Sequence, residues 1–300
     1  ISPDGKTIAT LRPWKNRLNV FVQPLEDAGK LRQVTFVEER DINGVQWKGN
    51  DVLIFERDTN GDENYHVFAV NVKTGALKDL TPFPNTRASL ADDLEDVSET
   101  DVLIVHNQRD KELFDVYRTN VLTGESKLIA KNEHKIDNWL IDHTGAVRGG
   151  RATDGVNSIF YFEKTAGKGF EAVFKTGFKN EFTPIGFTAD NKRIYAMTNL
   201  GRDLTAVAEF DPLKPIKATA GKILYSHPRY DTSGASYSEV RKSLSTITLV
   251  TDRRETIFLH PDDKNDWEYL KGELKSILLA NSSRDERYWV VKTMSDVSGG

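Results

Sequence analysis

The sequence predicts an all-β fold, a β-propeller built from four-stranded blades. Short apolar runs with period-2 alternation are separated throughout the chain by polar turns, and the segment Asp58–Pro82 shows the pattern best. Units of this kind recur at intervals of about 40 to 55 residues, which is the period of propeller blades. We expect one propeller domain over residues 1–300, with about six full blades, part of a seventh, and truncation at both ends.

The predicted blades align on their second strands. These begin near Thr7, Val52, Val102, Ala146, Arg193, Thr246 and Tyr288. The turns Ser2–Lys6 and Thr188–Lys192 fall at the same place in their units, and Asp142–Gly145 and Ser283–Glu286 are weaker versions of them. Asp, Asn and Gly are favoured in such turns because a tight hairpin needs a positive φ at a central residue.

Apart from the truncated first and last units, two units depart from the four-strand pattern. The third is predicted with three strands, Val102–Asn107, Phe114–Val121 and Ser126–Ala130. In the sixth, a helix stands where the outer strand is expected. Residues 266–279 place Trp267, Leu270, Leu274, Ile277 and Leu278 on one helical face, with Asn265 as the predicted N-cap. We interpret this helix, near residues 265–279, as a decoration whose apolar face packs on the propeller.

Composition excludes several classes of function. The chain has a net charge of -4 and no cysteine, which removes disulfides, thiolate metal sites and cysteine nucleophiles. Lys and Arg are spread along the chain, so we expect neither a nucleic-acid nor a membrane partner. The densest charge run, Asp92–Asp96, is interpreted as a solvated face. No cofactor is expected, and both the bacterial cytoplasm and the periplasm are compatible with the sequence.

Several short sequence motifs occur in a recognisable order. They are Ser2–Lys6, Gly61–Tyr65, Thr74-Gly75, Asp79–Pro82 and Ser295-Asp296. In this order they resemble the N-terminal β-propeller of serine peptidases of the prolyl oligopeptidase family, in its acylaminoacyl-peptidase and dipeptidyl-peptidase-like branch. The resemblance implies a propeller that precedes an α/β-hydrolase domain carrying a Ser-Asp-His triad.

The catalytic half of such a peptidase is not in this sequence. A hydrolase nucleophile stands in Gly-x-Ser-x-Gly, and no such pentapeptide occurs here. The expected function is therefore that of a non-catalytic propeller, which docks on its own hydrolase domain and gates the access of short peptides. The alternative is a stand-alone TolB-like propeller that binds a protein partner. A sugar-processing propeller enzyme would need a positioned carboxylate pair that the sequence does not identify.

One polar loop carries the candidate site residues. A calcium loop has ligands at alternate positions, and the first three of these are occupied by Asp58, Asn60 and Asp62. Glu63 stands where such a loop requires Gly, and Ala69 stands where it requires a bidentate Glu. The histidines do not fall at metal-ligand spacing either, so no metal site is predicted. We interpret this segment as a solvated hairpin loop, in which Asp62 and Glu63 are the candidates for contact with a substrate's cationic amino terminus or with the hydrolase domain. No residue of the chain is expected to be catalytic.

Overall fold

In the computed structural model the described residues are 1–59, 61–217, 221–252, 254–274 and 277–293. They form seven antiparallel sheets, and within each sheet the strands hydrogen-bond in sequence order. Asn60, part of the calcium-loop pattern, and Ser295-Asp296 lie outside the described residues. The chain divides into two compact units, of which unit 1 comprises Ile1–Lys135 with Ser282–Tyr288, and unit 2 comprises Ile136–Asn281 with the residues from Trp289 onward.

Unit 1 contains three sheets. Sheet 1 has the strands β1 (Thr7–Trp14), β2 (Arg17–Pro24) and β3 (Arg32–Gln33), with a short 3-10 helix at Ala28–Lys30. Sheet 2 has β4 (Asn43–Lys48), β5 (Val52–Arg57), β6 (His66–Asn71) and β7 (Leu77–Asp79). Sheet 3 has β8 (Ala88–Asp92), β9 (Asp101–Asp110), β10 (Leu113–Asn120) and β11 (Ser126–Ala130).

Unit 2 contains the remaining sheets and the α-helix. Sheet 4 has β12 (Ile136–Ile141), β13 (Val147–Thr153), β14 (Asn157–Phe162) and β15 (Glu171–Gly177). Sheet 5 has β16 (Phe182–Phe187), β17 (Ile194–Thr198), β18 (Ala206–Phe210) and β19 (Lys222–Tyr225). Sheet 6 has β20 (Thr232–Ser238), β21 (Ser243–Val250) and β22 (Arg254–Phe258), and is followed by α1 (Pro261–Glu273). Sheet 7 has β23 (Ile277–Ser282) and β24 (Trp289–Thr293).

The alternation of apolar residues buries both faces of sheet 2. Leu53 and Phe55 pack in one cluster with Val20 and Val22 of sheet 1. Their neighbours on the same strand, including Ile54, pack in a second cluster with Val102 and Ile104 of sheet 3. Successive side chains of a strand point to opposite faces, so an unbroken apolar strand serves two cores at once. Sheet 5 in unit 2 is buried in the same way, with Ile194 in one cluster and Tyr195 in another.

The turn that precedes the second strand of a predicted blade repeats in detail. The first residue's hydroxyl donates to an Asp carboxylate two residues later: Ser2 to Asp4 at 2.7 Å, Thr188 to Asp190 at 2.7 Å, and Ser283 to Asp285 at 2.6 Å. The fourth residue then has a positive φ, +71° at Gly5, +56° at Asn191 and +57° at Glu286. The predicted equivalence of these turns is therefore confirmed.

Gly5 is also required by a close approach. A Cβ atom at this position would lie 2.5 Å from Cδ2 of Tyr288, within unit 1. Such a contact is well inside van der Waals range, so the turn before β1 can pack here only without a side chain.

The helix lies earlier than the sequence pattern predicts. It covers Pro261–Glu273 with His260 at the N-cap, so Asn265 does not cap it. Proline at the first helical position and acidic residues in the first turn favour this start. Leu274 leaves the helix with extended φ and ψ, and Ile277 begins a strand, so only part of the predicted apolar face is helical. Lys275 and Ser276 lie outside the described residues.

The expectation that the helix packs on the adjoining sheet holds for Trp267. Its side chain is 4% exposed, and its ring centroid lies 5.2 Å from that of Phe258 on β22 and 6.3 Å from that of Trp289 on β24. The helix therefore covers the sheet where an outer strand is expected, and Trp267 packs it against that sheet.

The acidic run Asp92–Asp96 is only partly a solvated face. Asp92 ends β8, a strand that the sequence pattern misses, and Leu94 is 2% exposed. The buried ammonium of Lys48 donates to the carbonyl oxygens of Asp93 at 2.5 Å, of Leu94 at 3.2 Å, and of Ser98. Burial lowers the pKa of Lys48, and nearby carboxylates such as Asp93 oppose that shift. The backbone of this segment thus binds a lysine of the neighbouring sheet.

No helix in the described part of the chain is both long and apolar enough to cross a membrane.

Truncating the tryptophan that anchors the helix is expected to destabilise unit 2. Trp267→Ala removes a buried aromatic side chain and should lower the free energy of unfolding by about 3–5 kcal/mol. Tyr269→Ala, on an exposed side chain of the same helix, should change it by less than about 0.5 kcal/mol. Urea denaturation followed by circular dichroism measures both, and equal effects of the two substitutions would contradict the assigned packing.

Candidate functional site

The candidate site is the loop between β5 and β6, which contains Asp62 and Glu63. Two hydrogen bonds between residues of the loop itself close it. The Asp62 amide donates to the Thr59 carbonyl at 3.2 Å, and the Glu63 amide donates to Oδ2 of Asp58 at 3.4 Å. Gly61 and Glu63 both have positive φ, at +81° and +58°. These bonds reverse the chain and leave the Asp62 and Glu63 side chains exposed.

The loop is anchored by an ion pair that the calcium-loop pattern does not reveal. Asp58 is 2% exposed, and both of its oxygens accept hydrogen bonds from Arg40, at 2.9 Å from Nε and 3.2 Å from Nη2. A bidentate guanidinium–carboxylate pair is strong and fixes orientation. Hydrogen bonding from Arg40 lowers the pKa of Asp58. The carboxylate of Asp58, the first residue of the calcium-loop pattern, is therefore already paired with the guanidinium group of Arg40.

The two candidate contact residues differ in how far they are already engaged. The carboxylate of Asp62 accepts hydrogen bonds from the amide of Asn64 at 3.0 Å and from its side chain at 3.2 Å. Burial would raise the pKa of Asp62, but these hydrogen bonds from Asn64 outweigh it and lower the pKa. For the carboxylate of Glu63, no hydrogen bond or ion pair is found among the described residues. Glu63 is thus the member of the pair that is available to a partner.

The segment that supplies Arg40 brings further charges to the same end of sheets 1 and 2. Glu39 lies 3.5 Å from Arg57 at the end of β5, and Glu38 pairs with Lys15 at 2.7 Å. Both of these pairs, Glu39 with Arg57 and Glu38 with Lys15, involve at least one exposed side chain, so each contributes little to stability. Their arrangement gives this end of unit 1 a dense mixture of both signs of charge.

An exposed aromatic pair lies beside these charges. Trp14 at the end of β1 and Phe36 meet edge to face, with ring centroids 5.6 Å apart, and Phe36 is 64% exposed. Lys15 lies 4.7 Å above the Trp14 ring. Exposed aromatic residues with a polar rim are typical of protein contact surfaces.

The group that this loop presents is an exposed carboxylate. Within the described residues, no three His, Asp or Glu side chains are grouped so that they could hold a metal ion. A free carboxylate on a rigid loop can pair with an ammonium or guanidinium group of a partner.

Sequence reasoning predicted the exposed loop and missed what supports it. The residues missed are Arg40, which anchors Asp58, and the pair Trp14 and Phe36. The signal available was the run of charged residues Glu38–Asp41 shortly before β4. That signal does not identify a partner, because Arg40 and Asp58 are 18 residues apart, with β4 and β5 between them.

Comparison with known proteins identifies relatives along nearly the whole chain. It is 27% identical over 297 residues to dipeptidyl aminopeptidase BIII of Pseudoxanthomonas mexicana, and 25% identical over 313 residues to dipeptidyl peptidase family member 6 of Caenorhabditis elegans. Each match covers 97% of this chain, but only 42% and 41% of the respective relative. The chain therefore spans about two fifths of the length of these curated relatives. No protein-family model matches it.

Solved structures agree in fold. A prolyl endopeptidase superposes with a TM-score of 0.61 at 12% identity, covering 85% of this chain and 40% of that one. The β-propeller domain of the Trilobed protease from Pyrococcus furiosus superposes with a TM-score of 0.54 at 12% identity, covering 85% and 77%. Identity this low establishes the fold alone, which is that of a β-propeller domain.

Four of the seven sheets formed by the described residues have four strands, and the sheets and their similarities thus define a β-propeller domain. Its relatives by sequence are dipeptidyl peptidases. The chain is a propeller domain homologous to those of peptidases of the prolyl oligopeptidase family.

Removing the charge of Asp58 should destabilise the protein in a pH-dependent way. The folded-state pKa of Asp58 is lowered, so its stabilising contribution is complete above the unfolded pKa, about 4, and is lost as pH falls through the folded value. Asp58→Asn should therefore lower the melting temperature most at pH near 7, and the difference from wild type should shrink below about pH 4.

Thermal unfolding followed by circular dichroism across this pH range measures the effect. Glu125→Gln is the control, because Glu125 is exposed at the turn between β10 and β11 and its carboxylate forms no hydrogen bond or ion pair among the described residues. A destabilisation by Asp58→Asn that does not vary with pH would contradict the assigned ion pair.

Proposed function

We propose that this chain is the non-catalytic propeller of a serine peptidase that hydrolyses short peptides. In this proposal it docks on an α/β-hydrolase domain of the same protein and controls which substrates reach the active site. The observation that carries the proposal is the alignment of 97% of this chain with two fifths of a dipeptidyl aminopeptidase. In such a relative, the larger part of the protein lies outside the propeller.

The absence of a nucleophile motif from the sequence supports this role. A strand-to-helix elbow with Gly-x-Ser-x-Gly would be needed for hydrolysis by this route, and the sequence has none. Blades arranged radially leave a central channel, and a propeller over an active site selects substrates by size. Short peptides pass and folded proteins do not, so gating needs no catalytic residue in the propeller.

Asp62 and Glu63 are proposed as the contact between this propeller and its substrate or its hydrolase domain. Glu63 is exposed, and its carboxylate has no partner among the described residues, whereas Asp62 is turned back onto Asn64. We therefore assign the intermolecular contact to Glu63 and a loop-shaping role to Asp62. The cationic group that fits Glu63 is a peptide's free amino terminus or a Lys or Arg of the docked domain.

The 300-residue chain alone should hydrolyse no peptide. Incubation with dipeptidyl and acylated-amino-acid chromogenic substrates measures this directly. The complete natural gene product should cleave short peptides and leave the same sequence intact when it is embedded in a folded protein. Turnover by the purified 300-residue chain, or a complete product without peptidase activity, would overturn the proposal.

Glu63→Gln in the complete product should lower kcat/KM by about tenfold, the effect of losing one charge-assisted hydrogen bond. If Glu63 binds the substrate's amino terminus, the loss should appear with free-amine peptides and not with N-acetylated ones. If Glu63 binds the hydrolase domain, both substrates should be affected equally. Glu125→Gln, at an exposed turn between β10 and β11, is the matched control. Unchanged kinetics for Glu63→Gln with both substrates would exclude the contact.

A further inference from the structure

A groove of about 750 Å³ lies in unit 1, away from the loop of Asp62 and Glu63. Its lining includes four basic side chains, Lys6, Lys30, Arg32 and Lys73, and two acidic ones, Asp4 and Asp51. The basic residues come from four separate segments: the turn before β1, the 3-10 helix, strand β3, and the turn between β6 and β7. Folding gathers them, although along the sequence they are dispersed.

The three lysines are held by exposed ion pairs. Lys73 lies 2.7 Å from Asp51, Lys30 lies 3.2 Å from Asp27, and Lys6 lies 3.8 Å from Asp4. The lysine side chains are 70%, 74% and 81% exposed in these pairs. Exposed pairs of this kind contribute little, so a ligand anion can compete with each carboxylate at small cost.

Arg32 is held differently. Its Nη2 atom donates to the carbonyl oxygen of Val72 at 2.5 Å, and within the described residues no carboxylate forms an ion pair with it. A guanidinium group has five N–H donors in a planar fork, and one bond to a carbonyl oxygen leaves most of them unused. The bond also holds the guanidinium beside Lys73, because Val72 is the residue before it in the chain.

We propose that this groove binds a small ligand carrying two or more oxyanion groups, a phosphate ester or a polycarboxylate. In this proposal Arg32 binds one oxyanion group through the N–H donors that Val72 does not use, and Lys73 binds a second oxyanion group beside it. Lys6 and Lys30 add positive charge on two further segments of the wall. The protein as a whole has a net charge of -4, so this attraction is a local property of the groove.

The apolar part of the lining supports a small organic ligand over a bare inorganic ion. Val22, Pro24 and Val72 line the same groove. A concave site that combines apolar wall with a few polar groups is the usual form of a small-molecule site. This inference is independent of the proposed peptidase function, since it concerns a different face and needs no hydrolase domain.

Isothermal titration calorimetry of the 300-residue chain at low ionic strength tests the site, with inorganic pyrophosphate as one probe and citrate as the other. We expect saturable 1:1 binding of at least one probe, weakened by added salt. Tighter binding of pyrophosphate would assign the ligand as a phosphate ester, and tighter binding of citrate would assign it as a polycarboxylate.

Variants connect the binding to the residues. Arg32→Ala should weaken binding by about tenfold or more, and Arg32→Lys should restore only part of it because lysine lacks the planar fork. Arg87→Ala, on an exposed arginine of unit 1 outside the groove lining, is the matched control and should bind as wild type. Melting temperatures without ligand verify that each variant is folded. No saturable binding of either probe, or equal losses for Arg32→Ala and Arg87→Ala, would overturn the proposal.

Discussion

The structure depends on one constraint, that the central strands of a sheet must be apolar on both faces. Leu53 and Ile54 are adjacent in β5, yet they belong to two different hydrophobic clusters. Ile194 and Tyr195 divide in the same way in β17. Because these strands have no polar face, polar and charged groups are displaced to the strand ends and connections. The candidate contact site is consequently built from a connection between strands, and the charged groups of the anion groove come from turns, the 3-10 helix and the short strand β3.

Turns can carry such sites because their own hydrogen bonds make them rigid. In the turn before β1, Ser2 and Asp4 bond to each other and Gly5 takes a positive φ, and two later turns repeat this geometry. The loop after β5 is fixed by other means, with Asp58 inside an ion pair and Glu63 at a positive φ. A side chain that such a backbone presents is already oriented, so little conformational entropy is lost when it meets a partner.

The sequence was sufficient wherever the determining interactions are local. Period-2 alternation predicted β5 and β6, and the turn chemistry predicted which turns are equivalent. It was insufficient where contacts between residues distant in the sequence decide the outcome. Strand β8 is short and ends in Asp92, and its pairing with β9 overrides its weak β propensity. The helix pattern continued into Ile277 because strand and helix cannot be separated in a short apolar run by periodicity alone. The pair of Arg40 with Asp58 joins residues 18 positions apart, with β4 and β5 between them, and no local rule predicts it.

The antiparallel order of sheet 2 separates the two proposed sites in space. The loop of Asp62 and Glu63 connects β5 to β6, whereas the groove uses the turns on either side of it, at Asp51 and at Lys73. Successive connections of a meander lie at opposite ends of its strands, and a strand of six residues is about 20 Å long. A domain that contacts Glu63 therefore leaves the groove accessible. A ligand bound by Arg32 would act on such a domain only through the strands between them.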